Sequence, residues 1–552
     1  MTESTIASGA SSRTASKTLA VAWLAASALS GALRATEVRG RIVDAESGKP
    51  IAARLHVEAS DGAACFAKSA AADGSAIVYD KTRGTSAERH TTLSAHDFVI
   101  DLPAGKFRFT AERGKEYLRA SREVEVAATP LEIQIELRRF VDMAARGWYS
   151  GETHVHRSIE EMSNLLPAED LNVAFPLTYW VTRSGEVPAT SGADPISGRG
   201  ARATRDSGRW ESVDATHVFW PRNTEYEIFS VDGKQHPLGA VFLIRHRNLF
   251  AAGVPPVAPI AKQARAEGAL IELDKHNWPW SMALVPVMDA DLFELSNNHI
   301  WRTDFLFKGW GEAPAAYMNA DASTERGWIE FGHRNYWALL DCGFRLRPTA
   351  GTASGVHPVP LGFGRVYVEL PGGFDPEAWV RGLDAGRSFV TTGPLLFATV
   401  DGRAPGARIE IAGATGRGLR VRGECLSAEP PSALEIIAAG EIVRRLDPRP
   451  EKMDSGAYRA TFDETLPLEG STWVAVRAFA ELDNGRPRFA HTSPVHVDVP
   501  GRPLRPRREE VEYLATRVRE QITRSRGVIS EESLAEYERA LARYEALLSH
   551  AR

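Results

Sequence analysis

A multidomain chain, with a central β/α barrel between two β-sandwiches and a short C-terminal helical hairpin, is what this sequence predicts. Three observations lead there. Short alternating strands separated by turn residues fill residues 36–140 and return over 400–500, the pattern of sandwich sheets. Between them, over 145–398, strands alternate with helical segments, the signature of a βα-repeat unit. Length agrees, since 552 residues exceed what one hydrophobic core organises.

Composition is that of an ordinary folded protein: 43% of residues are hydrophobic and 25% charged, which excludes collagen-like and disordered classes. A formal net charge of −5 gives no reason to expect a nucleic-acid partner. The basic cluster Arg502, Arg505, Arg507 and Arg508 is punctuated by Pro503 and Pro506 and reads as a solvated linker. Cys65, Cys342 and Cys425 stand far apart with no C-x-x-C, which excludes a zinc ribbon and a disulfide scaffold.

Taken in order, the chain opens on an export signal. Arg13 and Lys17 precede an apolar run over 19–32 that is short for a transmembrane helix, and small residues follow at Ser30, Gly31, Ala32 and Ala35. Residues 1–35 are therefore expected to be a signal peptide and the mature protein periplasmic or secreted, with no membrane span. An uncleaved anchor is the alternative.

Over 36–140, Val38-Arg39-Gly40-Arg41-Ile42-Val43-Asp44 alternates, Ser47-Gly48-Lys49-Pro50 turns the chain, and Ala53-Arg54-Leu55-His56-Val57 resumes the alternation. Further strands fall over 98–102, 106–110 and 131–137. A sandwich of this size resembles the carboxypeptidase regulatory-like modules found beside exported enzymes, and its His90 and His96 read as surface residues. From 145 the period changes. Residues 159–170 read as a helix, 173–178 as a strand, and 183–214 as a long polar loop of the kind that forms a lid or insertion. Strands follow at 216–220, 225–230, 239–244, 269–273 and 291–295, with a helix at 258–267. Segments 335–342 and 376–385 then read as helical, and 365–368 and 389–392 as extended.

Strands return at 419–421, 434–439, 472–476 and 495–499. Past Pro506 a helical hairpin spans 507–550. Val511, Leu514, Val518 and Ile522 line one face of its first helix, and Gly527 breaks it. Ser530 caps the second helix, whose seam is Leu534, Tyr537, Leu541, Tyr544 and Leu548. Such a hairpin can dock back on the chain or make a dimer contact.

Chemistry gathers at strand ends. In the run Gly147-Trp148-Tyr149-Ser150-Gly151-Glu152-Thr153-His154-Val155-His156, the two histidines project from the same face of a strand. With Cα atoms about 7 Å apart, they can converge on one ion at roughly 2.0–2.1 Å per bond. Alone, such a pair reads as a solvated edge. Company changes the balance, because Glu225, Glu227, His236, His276 and Glu294 follow near the ends of later strands, where a β/α barrel builds its catalytic mouth. Tyr179, Trp180, Trp278, Trp280, Asn297 and Trp301 fall near the same mouth. They can form a substrate-binding wall, with aromatic faces stacking on sugar or aromatic rings, or else pack the barrel. The chain contains no G-x-S-x-G, no Walker A and no H-E-x-x-H.

The His154/His156 run resembles the opening motif of the PHP superfamily (named for polymerase and histidinol phosphatase). It is most similar to the CehA/McbA-type metallohydrolases, with their G-W-Y-x-G-D-x-H-x-H. Supporting segments are Asn223-Thr224-Glu225-Tyr226-Glu227, His236-Pro237-Leu238-Gly239, Leu273-Asp274-Lys275-His276-Asn277 and Phe293-Glu294-Leu295-Ser296-Asn297. Ala350-Gly351-Thr352-Ala353-Ser354-Gly355 and Gly386-Arg387-Ser388-Phe389-Val390-Thr391-Thr392-Gly393-Pro394 extend the likeness over roughly 145–395. The resemblance implies a distorted β/α barrel binding divalent metal. His154 and His156 match its first ligand pair, Glu225 or Glu227 its bridging glutamate, His276 its later ligand histidine, and His236 the histidine after the glutamate strand. The pattern is broken where Thr178-Tyr179-Trp180-Val181 replaces T-D-H-N, where Ala353 replaces the aspartate of G-S-D-x-H, and where Glu152 replaces the opening aspartate. One ion, zinc or manganese, held by His154, His156, a glutamate and His276 is the expectation.

The function expected is an exported metal-dependent hydrolase of an ester, amide, carbamate or phosphoester bond. Glu225 or Glu227 would serve as general base, and His236 as ligand or charge stabiliser. The substrate would be a small or carbohydrate-linked molecule. The alternative is a catalytically degenerate barrel that binds a carbohydrate or another small ligand.

Overall fold

The computed structural model describes residues 35–188, 207–305, 311–411 and 417–552. The expected signal segment and the centre of the long polar loop lie outside the described residues. β-Structure dominates, in several sheets, and two helices close the chain.

Two sheets face each other in the N-terminal part. One orders Leu131–Leu137, Thr36–Asp44, Phe98–Leu102 and Lys68–Ser69; the other orders Ala76–Arg83, Ser86–Leu93, Ala53–Ala59, Gly105–Glu112 and Ala120–Val126. Thr36–Asp44 illustrates the cause. Its residues alternate buried and exposed, so Val38 and Ile42 join Leu55, Phe98 and Phe109 in the core while Arg39 and Arg41 stay in water. His90 corrects the sequence reading, because it is buried, with Nδ1 2.8 Å from Glu88 Oε1 and its ring stacked on Tyr79. The Met162–Glu169 helix packs against the Ser86–Leu93 strand, covering a face that strand periodicity alone leaves to solvent. His96 stays partly exposed beside Ser94.

The central region folds as two groups of strands. A six-stranded sheet orders Tyr179–Arg183, Thr224–Val231, Lys234–Ile244, Leu270–Leu273, Leu292–Ser296 and Arg347–Ala350. A longer sheet contains Val173–Pro176, Trp148–Val155, Arg365–Glu369 and Ser388–Thr391 as neighbours. The two approach where the Ala353 N–H donates to the His154 carbonyl at 2.9 Å and Val155 bridges Ser354. Leu270–Leu273 and Trp148–Val155 are buried along their whole length, as strands covered on both faces are. Helices Ala258–Glu267, Glu325–Asp341 and Pro376–Asp384 accompany them. The last two start at side-chain caps, Thr324 accepting from the Gly327 N–H and Asp375 from the Ala378 N–H.

No break in pairing separates this region from the C-terminal strands. Ser388–Thr391 pairs with Pro487–Thr492, and the sheet runs on through Thr472–Glu481, Pro431–Ala438 and Glu441–Leu446. A second sheet, built from Leu395–Val400, Gly418–Ser427, Tyr458–Pro467 and Glu451–Lys452, encloses Leu396, Val421, Ile436 and Val476 with it. The boundary expected near residue 400 is thus a change of facing sheet along one continuous ladder.

His491 binds this ladder to the Glu325–Asp341 helix. The Trp337 indole N–H donates to His491 Nε2 at 3.0 Å, while Nδ1 lies 2.7 Å from the Thr492 carbonyl, so the ring is neutral with its proton on Nδ1. The closing helices, Arg508–Ser525 and Glu531–Leu548, dock onto the central region. The Trp280 indole N–H donates to Tyr537 Oη and the Tyr544 hydroxyl to the Met282 carbonyl, each at 2.8 Å. The Glu536 carboxylate accepts from the N–H groups of Val257 and Ala258, both at 2.8 Å, at the start of helix Ala258–Glu267.

Two outcomes are expected. Glu536→Ala strands two backbone donors and should cost about 1–3 kcal/mol in urea unfolding. His491 is pushed down to about 3 by burial, whereas the unfolded chain protonates near pH 6.5. Its stabilisation is therefore complete above pH 6.5 and declines below it by at most about 1.4 kcal/mol per pH unit. Urea unfolding at pH 7.5 and 5.5 should show a smaller loss for His491→Gln than for the parent.

Candidate metal centre

His154 is the penultimate residue of the buried Trp148–Val155 strand and His156 lies just past its end, so their rings meet on one side, Nε2 to Nε2 at 3.2 Å. Glu225 lies across from them on Thr224–Val231, its Oε2 3.2 Å from His156 Nε2. The other nitrogen of His154, Nδ1, lies 3.1 Å from Glu294 Oε2 and 4.0 Å from Asp274 Oδ1. A carboxylate beside Nδ1 selects the tautomer whose Nε2 lone pair is available to an ion. Three overlapping sets each offer donor atoms within 4.8 Å of one another: His154/His156/Glu225, His154/Asp274/Glu294 and Glu225/Glu227/Asp274. Gly351 permits this approach, since a Cβ there would lie 2.2 Å from His154 Cβ and 2.6 Å from Glu294 Oε1.

Register explains the glutamates. Trp180 pairs with Glu225 across parallel strands, and Glu225 and Glu227 share a face while Tyr226 turns away to the Ala252 carbonyl. The Trp180 indole N–H donates to Glu227 Oε2 at 3.1 Å, and its ring packs on His156. Lys275 brings a cation into the cluster. Its ammonium binds Asp274 and lies 3.5 Å from Glu227 Oε1 and 4.8 Å from the centre of the Trp278 ring.

Four carboxylates thus surround one ammonium away from water. Burial, then the Asp274 charge, raises Glu225 well above the carboxylate range, and the same two causes raise Glu294. Burial, then Glu225, pushes Glu227 up to about 8. Asp274 is the exception. Burial opposes its ionisation, but the adjoining Lys275 overrides that and holds it below the usual range. Glu225 Oε2 is buried with no hydrogen-bond partner, while Asp274 is held by Lys275 and Glu294. Imidazole nitrogens beside a carboxylate oxygen with orphaned lone pairs are a donor set that zinc or manganese fits.

Of the residues singled out from sequence, His154, His156, Glu225, Glu227, Glu294 and Trp180 come together, and Trp278 stands beside Lys275. His276 belongs to none of the donor groups among the described residues. The chain turns at His276 and Asn277, just past the Leu270–Leu273 strand, and the ring enters a packed nest. There it lies 4.3 Å from Trp328 and 4.7 Å from Phe331, with Nδ1 3.2 Å from Asn297 Nδ2. Asp274, just past the strand end, joins two of the donor groups instead. His236 is also corrected. Register sets Ala240 opposite Glu227, so His236 lies beyond the cluster, with Nε2 3.1 Å from Ser525 Oγ on the first closing helix.

The remaining wall residues are engaged in packing. Trp280 binds Tyr537, the Trp301 indole N–H donates to the Asn298 carbonyl, and Tyr179 lies near His246. Asn297 Oδ1 accepts from the Trp328 indole and the His299 N–H. Sequence reasoning missed Asp274 and Lys275 as members of the cluster. A lysine directly after a buried strand, flanked by Asp and His, was the available signal. It also missed the N-terminal hairpin beside the cluster, where Tyr79 donates to the His357 carbonyl and accepts from the Gly355 N–H, bracing the loop that packs on His154.

Compared with models of known protein families and with curated protein sequences, the chain matches none.

After zinc or manganese loading and desalting, metal analysis should find an ion in the parent and in His276→Gln, and none in the His154→Ala/His156→Ala double variant. Retention of the ion by the double variant would relocate the centre.

Proposed function

We propose that this protein is a metal-dependent hydrolase, on a PHP-like β/α barrel of the CehA/McbA type, with one divalent ion held by His154, His156 and Glu225. The observation that carries the reading is the convergence of two imidazole Nε2 atoms on Glu225 Oε2, a buried oxygen with no hydrogen-bond donor of its own. Bound there, a divalent ion supplies Lewis acidity, polarising a carbonyl or phosphoryl oxygen and making water nucleophilic near neutral pH.

The chain's own residues do the rest. Glu294 orients the His154 ring through Nδ1. Glu227, anchored at Oε2 by Trp180, holds a proton at Oε1 and exchanges it with water or a leaving group. Lys275 is a fixed positive charge for an oxygen that becomes negative during bond cleavage. It also limits the metal count, because its ammonium already lies beside Asp274 and Glu227, where a second cation would have to sit. The substrate class is that of the sequence reading: an ester, amide, carbamate or phosphoester met outside the cytoplasm.

Depth favours a second reading, a ligand-binding protein on a degenerate site. His154, Glu225 and Asp274 are each 1% exposed, and among the described residues of the cluster His156 is half-buried. Turnover separates the two. With zinc or manganese present, the hydrolase should cleave at least one of an aryl ester, an aryl carbamate and an aryl phosphate. Glu227→Gln should lower kcat about 10²–10⁴-fold with the ion retained. No turnover on any of the three, from metal-loaded parent protein, transfers the case to the binding reading.

A further inference from the structure

A second concentration of charge lies away from the metal centre, in a cavity of about 390 Å³ at the junction of the N-terminal sheets, the central region and the C-terminal sheets. Among the described residues twenty line it, seven of them Lys or Arg and three Glu. Two of those glutamates are already committed. Arg54 binds Glu169 and Glu112, each at 2.6 Å, and Arg302 lies 3.4 Å from Glu112. The third, Glu429, is only partly buried.

Arg113 binds Asp170 at 2.8 Å, whereas Lys115, Arg365 and Arg488 are held mainly by neutral groups. Lys115 Nζ donates to the Thr392 carbonyl at 2.9 Å. Arg365, 1% exposed, donates to the carbonyls of Gly362, Glu169 and Asp170 at 2.7–2.9 Å. Arg488 donates to the carbonyls of Pro487 and Arg302 at 2.9 and 3.1 Å, and its nearest carboxylate contact is Glu325 at 3.7 Å. Lys115 and Arg488 also share one aromatic ring, at 4.4 and 5.1 Å from the Phe363 centroid. Carbonyl hydrogen bonds and a ring quadrupole hold a cation in place but do not cancel its charge. The strain appears in the acidities. Burial, then Arg365 and Arg488, lowers Lys115 well below its ordinary range, and burial brings Arg488 down to about 10.

We propose that this junction cavity is a binding site for a small molecule bearing an oxyanion, a phosphate, sulfate or carboxylate, held by Lys115, Arg365 and Arg488. The volume admits a single sugar acid or a sugar phosphate. Guanidinium groups offer the forked donors that such oxyanions accept, and Lys115 adds a point charge. Because the lining comes from all three β regions, an anion there draws them together.

The test is calorimetric titration of the full chain with inorganic phosphate, inorganic sulfate and glucuronate, each against chloride at matched ionic strength. Saturable binding of at least one, tenfold or more tighter than chloride, is expected. Whether phosphate and sulfate or glucuronate binds best separates tetrahedral from planar oxyanions. Lys115→Met should weaken binding at least tenfold and Lys115→Arg should largely restore it. Should Lys115→Met not fold, acylation of Lys115 by acetic anhydride, read by mass spectrometry, should be slowed by the bound anion in the parent protein. No saturable binding by any of the three anions overturns the proposal. So does a folded Lys115→Met that binds as the parent does, or acylation of Lys115 that the anion leaves unchanged.

Discussion

The structure turns on one electrostatic constraint. Among the described residues, four carboxylates, two imidazoles and one ammonium share a region where His154, Glu225, Asp274 and Glu294 see almost no water. Lysine alone cannot balance that many carboxylates, so Glu225, Glu227 and Glu294 all hold their protons more tightly than a solvated acid would. A divalent cation relieves the same imbalance by charge instead of protonation. The strands that deliver these groups come from both central sheets, which is why the contact between Ala353 and the His154 carbonyl matters: it fixes one sheet against the other at the point where their side chains must converge.

The flanking regions extend this logic through buried and half-buried ion pairs. Arg54 on an N-terminal strand reaches Glu169 on a central helix, Arg302 reaches Glu88, and Arg486 in the C-terminal sheets reaches Glu325. Such pairs add little net stability, because the desolvation of both charges offsets their attraction. They do define register between regions, since a shifted interface would leave each charge buried and alone. The junction cavity is where this matching is incomplete: three cations meet there with carbonyls as their main partners.

How much was legible depended on range. Helix Ala258–Glu267 was read at its observed bounds, and the strands around Glu225 and Leu270 within a residue or two, because hydrophobic period and caps are local properties. Pairing of His154 with His156 was equally local, resting on the alternation of side chains along one strand. The aromatic wall was not. Trp180 and Trp280 look alike in sequence, yet one touches Glu227 and the other a tyrosine on a closing helix far along the chain.

By itself, then, the sequence determined many of the strand and helix segments, the β-rich organisation, and the pairing of His154 with His156 and of Glu225 with Glu227 on shared strand faces, all of which follow from spacing within one element. Tertiary structure alone decided that His276 turns into an aromatic nest, that His236 faces a closing helix, and that Asp274 and Lys275 enter the cluster in their stead. It also decided that His90 is buried and that the ladder of strands continues past residue 400. The reason is the same in each case. A side chain's direction at the end of a strand, and the cover over a sheet's second face, are set by elements far away in the chain, and no local period encodes them.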